Sequence, residues 1–134
     1  MRYHGAVMHT LAKRFRFDAA HFLPMVPEEH KCRRVHGHSF EVEISVRGEI
    51  DPERGWVIDY GDLGGAVRAV LDPLDHALLN AIPDLENPTS ELLAAWIWER
   101  LQPRLPGLYR VTIFETPHSR CEYEGPAGSG GISG

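Results

Sequence analysis

Two stretches of strict alternation open the chain. Leu11, Phe15 and Phe17 share one parity while Arg14 and Arg16 take the other, which predicts a first strand, with Lys13 as an interruption. Phe40-Glu41-Val42-Glu43-Ile44-Ser45-Val46 repeats the pattern and predicts a second strand from about His38 to Glu49. Residues 22–34, with two prolines and many charges, read as a loop. Asp51-Pro52-Glu53-Arg54-Gly55 is turn chemistry, and Trp56-Val57-Ile58 returns as a short extended piece. The period then lengthens. Leu63, Ala66, Val67, Val70 and Leu71 fall on one helical face behind Asp59 as a cap, and Pro73 limits that helix. After a short segment from Leu74 to Asn80, Asn87-Pro88-Thr89-Ser90-Glu91 predicts a second helix start, with Pro88 in the first turn. Its apolar stripe is Leu92, Leu93, Trp96, Ile97 and Leu101, and Pro103 and Pro106 end it. Tyr109, Val111, Ile113 and Glu115 share one face of a late strand, and Cys121 to Tyr123 hold a short last one.

Two strands, two helices and two strands predict an α+β fold, an antiparallel four-stranded sheet with both helices on one face. The opposite face and the strand edges stay uncovered, which favours self-association through strand pairing. The chain has 134 residues and no internal repeat, so one domain over residues 1–124 is expected, followed by a Gly/Ser-rich tail over 125–134. A net charge of −5 with no long basic run argues against nucleic acid as a partner. The apolar stretches are too short to span a membrane, and the N-terminus opens no signal peptide. Two cysteines, Cys32 and Cys121, are too few for a disulfide framework, so a reducing, cytoplasmic setting is expected.

The candidate chemistry clusters near the start of the second strand. His36 and His38, two apart on an extended chain, project to one face about 6.5–7 Å apart along it and can converge on one metal ion. His21, after the first alternating run, can supply a third ligand. Three neutral imidazoles suit zinc and leave a fourth position open. Cys32 would close that position if it were the fourth ligand. Alternatively, flanked by Lys31, Arg33 and Arg34, it is a candidate base or nucleophile. Asp75-His76 pairs a carboxylate with an imidazole, either as an oriented proton relay or simply as a polar helix end. Glu115, on the parity of Val111 and Ile113, is either a solvent-facing strand terminus or a buried carboxylate awaiting a planar heterocycle with adjacent N–H donors.

Taken together, Phe17-Asp18-Ala19-Ala20-His21, the run from Cys32 to His36-Gly37-His38, Leu74-Asp75-His76, Asn87-Pro88-Thr89-Ser90-Glu91 and Phe114-Glu115-Thr116 resemble the 6-pyruvoyltetrahydropterin and 6-carboxytetrahydropterin synthase family over about residues 10–124. The three-residue gap between Cys32 and His36, and Gly55-Trp56-Val57-Ile58-Asp59-Tyr60, are similar to the bacterial carboxy-forming branch, which acts in queuosine biosynthesis. The resemblance implies a tunnelling fold assembled as trimers stacked into a hexamer, with active sites at subunit interfaces. It implies zinc on His21, His36 and His38, proton transfer by Cys32, Asp75 and His76, and pterin anchoring by Glu115. The implied reaction converts 7,8-dihydroneopterin triphosphate to 6-carboxy-5,6,7,8-tetrahydropterin with release of acetaldehyde and triphosphate. The alternatives are the pyruvoyl-forming reaction, which keeps the carbon chain, and a non-catalytic zinc- or pterin-binding oligomer.

Overall fold

A computed structural model describes residues 7–126. Four strands form one antiparallel sheet in the order β1-β2-β3-β4, with β1 at Met8–His21, β2 at His36–Glu49, β3 at Leu108–Thr116 and β4 at Ser119–Tyr123. Two helices, α1 at Tyr60–Leu71 and α2 at Ser90–Leu101, lie between β2 and β3 in the chain. The element order is the one the alternation predicts.

Register explains the single core. β1 and β2 pair Phe15 with Val42 and Phe17 with Phe40, so the odd positions of β1 and the even positions of β2 share a face. That face buries Phe15, Phe17, Phe40, Val42 and Ile44 in one cluster with Leu63 and Val67 of α1 and with Leu93, Ile97 and Leu101 of α2. Both helices therefore cover the same side of the sheet. Asp59 caps α1 by accepting the Asp62 N–H, as expected. The opposite face carries exposed charges paired across strands, among them Arg14 with Glu43 and Arg110 with Glu124.

Several boundaries differ from expectation. β1 runs unbroken to His21, and β2 begins at His36 rather than near His38, because the two strands pair along their full lengths, to His21 opposite His36. Thr89, not a residue upstream of it, caps α2, accepting from the Leu92 N–H, so Pro88 lies before the helix and not in its first turn. Leu92 leaves the expected stripe and is 48% exposed; Ala94 and Trp98 are buried instead. Trp56-Val57-Ile58 is a bend without a strand partner, tied by Asp51 N–H to the Trp56 carbonyl. Of the expected tail, residues 127–134 fall outside the described residues.

A short segment after α1 matters for function. Residues 75–78 hook onto the outer edge of β1: His76 N–H donates to the Asp18 carbonyl, Ala20 N–H donates to the Ala77 carbonyl at 2.9 Å, and Ala20 bridges Leu78. His76 adopts φ 60°, the left-handed region that a residue with a Cβ enters only when its surroundings hold it there.

Candidate metal centre and adjoining hollows

The core face of the sheet does not stop at its last apolar pair. Beyond Phe17 opposite Phe40, the same parity brings Ala19 opposite His38 and His21 opposite His36. Three imidazoles thus stand together at the end of the core, with ring centroids 4.6 Å apart for His21–His36 and 5.0 Å for His21–His38. Phe40 backs them, its ring 4.1 Å from that of His38 and 5.1 Å from that of His21. His21 is buried and His38 half-buried.

The backbone decides which nitrogen of each ring carries the proton. His21 Nδ1 lies 3.3 Å from the Pro88 carbonyl, His36 Nδ1 2.8 Å from that of Arg34, and His38 Nδ1 3.0 Å from that of Ser39. A carbonyl oxygen only accepts, so each Nδ1 is the donor and each Nε2 presents a lone pair. His21 Nε2 and His38 Nε2 then face each other at 3.1 Å. Two lone pairs at that separation repel unless a cation sits between them. Burial first, and then His36, hold the His21 ring down at about 4, well below its ordinary 6.5, so His21 offers its lone pair at neutral pH. The three Nε2 atoms can hold one metal ion, and this donor set fits a tetrahedral cation with a remaining position free. Among the described residues, Cys32 is not part of that ligand group.

A pH test follows in the metal-free protein. His21 is neutral when folded down to about 4, while the unfolded chain binds a proton near 6.5. The unfolded state therefore binds more protons across this window, and stability is full above 6.5 and falls as pH drops toward 4. We expect the urea midpoint of metal-free protein to drop between neutral pH and pH ~4.5, with a smaller drop in His21→Gln. Equal drops in both proteins would contradict the assignment.

Cys32 lies four positions before His36 on a short 3-10 turn, Lys31–Arg33, and is half-buried. His30 caps that turn, its Nδ1 accepting the Cys32 N–H at 3.1 Å, and Leu23 N–H donates to the Cys32 carbonyl at 2.7 Å. The Arg33 guanidinium donates to the Val26 carbonyl. The loop is thus a fastened platform for the thiol, and His30 is part of the fastening.

Asp75 and His76 do touch: the carboxylate oxygen Oδ1 and ring Nδ1 are 3.1 Å apart. The same Oδ1 accepts the Asp18 N–H at 3.0 Å. That backbone bond first, and His76 in addition, hold the Asp75 carboxyl below its ordinary range. His76 and His38 line one hollow of about 490 Å³ together with Asp18 and Ser39.

Glu115 takes the solvent-facing of its two readings. A β-bulge between Phe114 and Thr116 breaks the parity that joined it to Val111 and Ile113, and it is exposed rather than buried. It lines a second hollow with Arg14, Arg16, Glu41 and Phe114, and that hollow shares Ser39 with the first. Together with Glu91 and Glu122, its charge adds to burial in keeping the Cys121 thiol protonated.

Known proteins with the same pattern fall into one group. The family model described as 6-pyruvoyl tetrahydropterin synthase matches residues 10–126. A 6-carboxy-5,6,7,8-tetrahydropterin synthase of Synechocystis sp. is 42% identical over 129 residues, covering 89% of this chain and 95% of the relative. A dihydroneopterin monophosphate aldolase of Pyrococcus furiosus is 42% identical over 111 residues, covering 81% of this chain and 90% of the relative. The solved 6-pyruvoyl tetrahydropterin synthase of Caenorhabditis elegans superposes with a TM-score of 0.82 at 31% identity, covering 90% of this chain and 97% of that one. The sheet with two helices on one face is the tunnelling fold of these structures. By sequence over nearly its whole length and by fold, this chain belongs to the 6-pyruvoyl tetrahydropterin synthase family.

Proposed function

We propose that the chain is a zinc-dependent 6-carboxy-5,6,7,8-tetrahydropterin synthase of queuosine biosynthesis, a carbon–carbon lyase acting on 7,8-dihydroneopterin triphosphate in the cytoplasm. The observation that carries this reading is the set of three imidazoles, each with its Nδ1 tied to a backbone carbonyl and with one ligand atom from each within 4.8 Å of the others, beside a hollow that also receives His76. The 42% identity to the Synechocystis synthase over 89% of this chain supports the carboxy-forming reaction within the family.

The residues divide the work by chemistry. Glu115 presents a carboxylate whose two oxygens accept a pair of N–H donors on the amino-pyrimidine edge of a pterin. His21, His36 and His38 would hold zinc, which when bound supplies Lewis acidity toward oxygens of the substrate side chain. Cys32 accepts a proton at Sγ from the substrate side chain. His76 donates its Nδ1 proton to Asp75, which leaves Nε2 to receive and return a proton in the hollow. Uptake of one water, loss of triphosphate and cleavage of the side chain, with release of acetaldehyde, complete the balance.

The Glu115 and His76 hollows lie side by side in one chain, and among the described residues most of the outer edge of β1 has no partner strand. Self-association into a trimer or hexamer through these edges would bring neighbouring chains against both hollows.

Glu115→Gln keeps the size but replaces one acceptor oxygen by a donor. We expect affinity for a pterin to fall about 10- to 100-fold, the loss of a charge-assisted pair, with metal content unchanged, as read by calorimetry and metal analysis. Unchanged pterin affinity would remove Glu115 from this role.

The reaction itself is tested by counting small products. Equimolar acetaldehyde and triphosphate support the carboxy-forming reading; triphosphate without aldehyde indicates the pyruvoyl reaction. The equal identity of the Pyrococcus aldolase favours a second reading, aldol cleavage on the same scaffold. That chemistry would release an aldehyde still carrying its phosphate, with no free triphosphate.

A further inference from the structure

The two hollows meet at Ser39, which walls both of them. Its hydroxyl accepts from Arg16 Nη2 at 2.8 Å and donates to Asp18 Oδ1. Asp18 in turn is the strip onto which the His76 segment is docked. Its N–H donates to Asp75 and its carbonyl accepts from His76 N–H, and two residues on Ala20 repeats the attachment with Ala77. The Asp18 carboxylate also lies close to its neighbours: oxygen atoms of Asp18 and Asp75 and a ring nitrogen of His76 all fall within 4.8 Å of one another.

Two carboxylates therefore stand within reach of one imidazole, and only one of them is bonded to it. Asp75 holds Nδ1, while Asp18 is turned to the Ser39 hydroxyl. We propose that Ser39 is a positioning residue: by holding the Asp18 carboxylate toward itself and Arg16, it leaves Asp75 as the partner of His76 and keeps the 75–77 segment seated on β1. The inference rests on the proton-relay role proposed above for His76, but its structural half stands independently of that role. Without the hydroxyl, Asp18 loses its donor and competes with Asp75 for the ring N–H. The segment carrying a left-handed His76 then loses the arrangement that fixes it. Ser39→Ala keeps the backbone carbonyl that accepts from His38 Nδ1, so the metal ligands retain their fastening.

The test compares wild type, Ser39→Ala, Ser39→Thr, Asp18→Asn and the double variant Ser39→Ala/Asp18→Asn, all zinc-loaded. Amide exchange is followed by NMR. In Ser39→Ala the His76 and Ala20 amides should exchange about tenfold faster, with those of Val42 and Ile113 unchanged. Unchanged exchange at His76 and Ala20 overturns the proposal. In turnover, Ser39→Ala should lower kcat about tenfold with KM within about twofold, and Ser39→Thr should recover kcat to within about threefold. Because the effect passes through the Asp18 carboxylate, adding Ser39→Ala to Asp18→Asn should cost less than about twofold further. A full tenfold loss in both backgrounds, or no loss of kcat in Ser39→Ala, overturns the proposal. If wild type does not turn over, the proposed function falls, and the exchange comparison alone decides whether Ser39 seats the segment.

Discussion

Replacing His36 by alanine is expected to abolish stoichiometric metal binding and to lower turnover by at least about 10³-fold, while the protein stays folded. His36 is the ligand to choose because it stands at the very end of the β1–β2 ladder, opposite His21. Among the described residues its hydrogen bond is to the Arg34 carbonyl two residues away, and it takes no place in the apolar core. His21 is buried and bonded to the Pro88 carbonyl before α2, so its removal would confound metal loss with damage to packing. With His36 gone, two imidazoles and solvent remain, and the tetrahedral donor set loses one of its three protein ligands. Metal analysis, far-UV circular dichroism and turnover on one preparation check the outcome. One metal per chain retained in His36→Ala would mean that the ion is held elsewhere.

Cys32→Ala should give the complementary result: metal retained at the wild-type ratio, turnover reduced about 10²- to 10⁴-fold, the range for removing a positioned acid–base group. Cys32 stands on a turn held by His30 and Leu23, and it is absent from the group of ligand atoms formed by the three histidines. The proposed proton-accepting role therefore predicts loss of turnover without loss of metal. If Cys32→Ala instead loses its metal, Cys32 closes the site and the open position needed for substrate does not exist.

Much of the fold and the metal cluster is legible in the sequence because one rule generates both. Period-two alternation over Phe15, Phe17, Phe40 and Val42 defines the core face, and its continuation to His21, His36 and His38 predicts convergence before any contact is seen. The rule fails where an extra residue enters. The bulge beside Glu115 leaves no mark in the local sequence, and it turns to the exposed side a residue whose parity left it open between core and solvent. Leu92 and Trp98 fail for another reason: α2 is apolar over much of its circumference, so spacing alone does not say which flank meets the sheet. The group formed by Asp18, Ser39 and Arg16 was out of reach. Each sits on the polar parity of its strand, and their link to Asp75 spans 57 residues of chain. Only the docking of the 75–78 segment on the edge of β1 makes them neighbours.

The central claim is that three histidines place one zinc ion where the side chain of a dihydroneopterin triphosphate is cleaved. The most direct measurement is an anaerobic incubation of metal-stripped protein with 7,8-dihydroneopterin triphosphate while zinc is added back in steps, with pterin products identified by mass spectrometry. The account predicts no product without metal, and 6-carboxy-5,6,7,8-tetrahydropterin rising to a plateau at one zinc per chain. Product formed by the metal-free protein, or a 6-pyruvoyl product at the plateau, would contradict it.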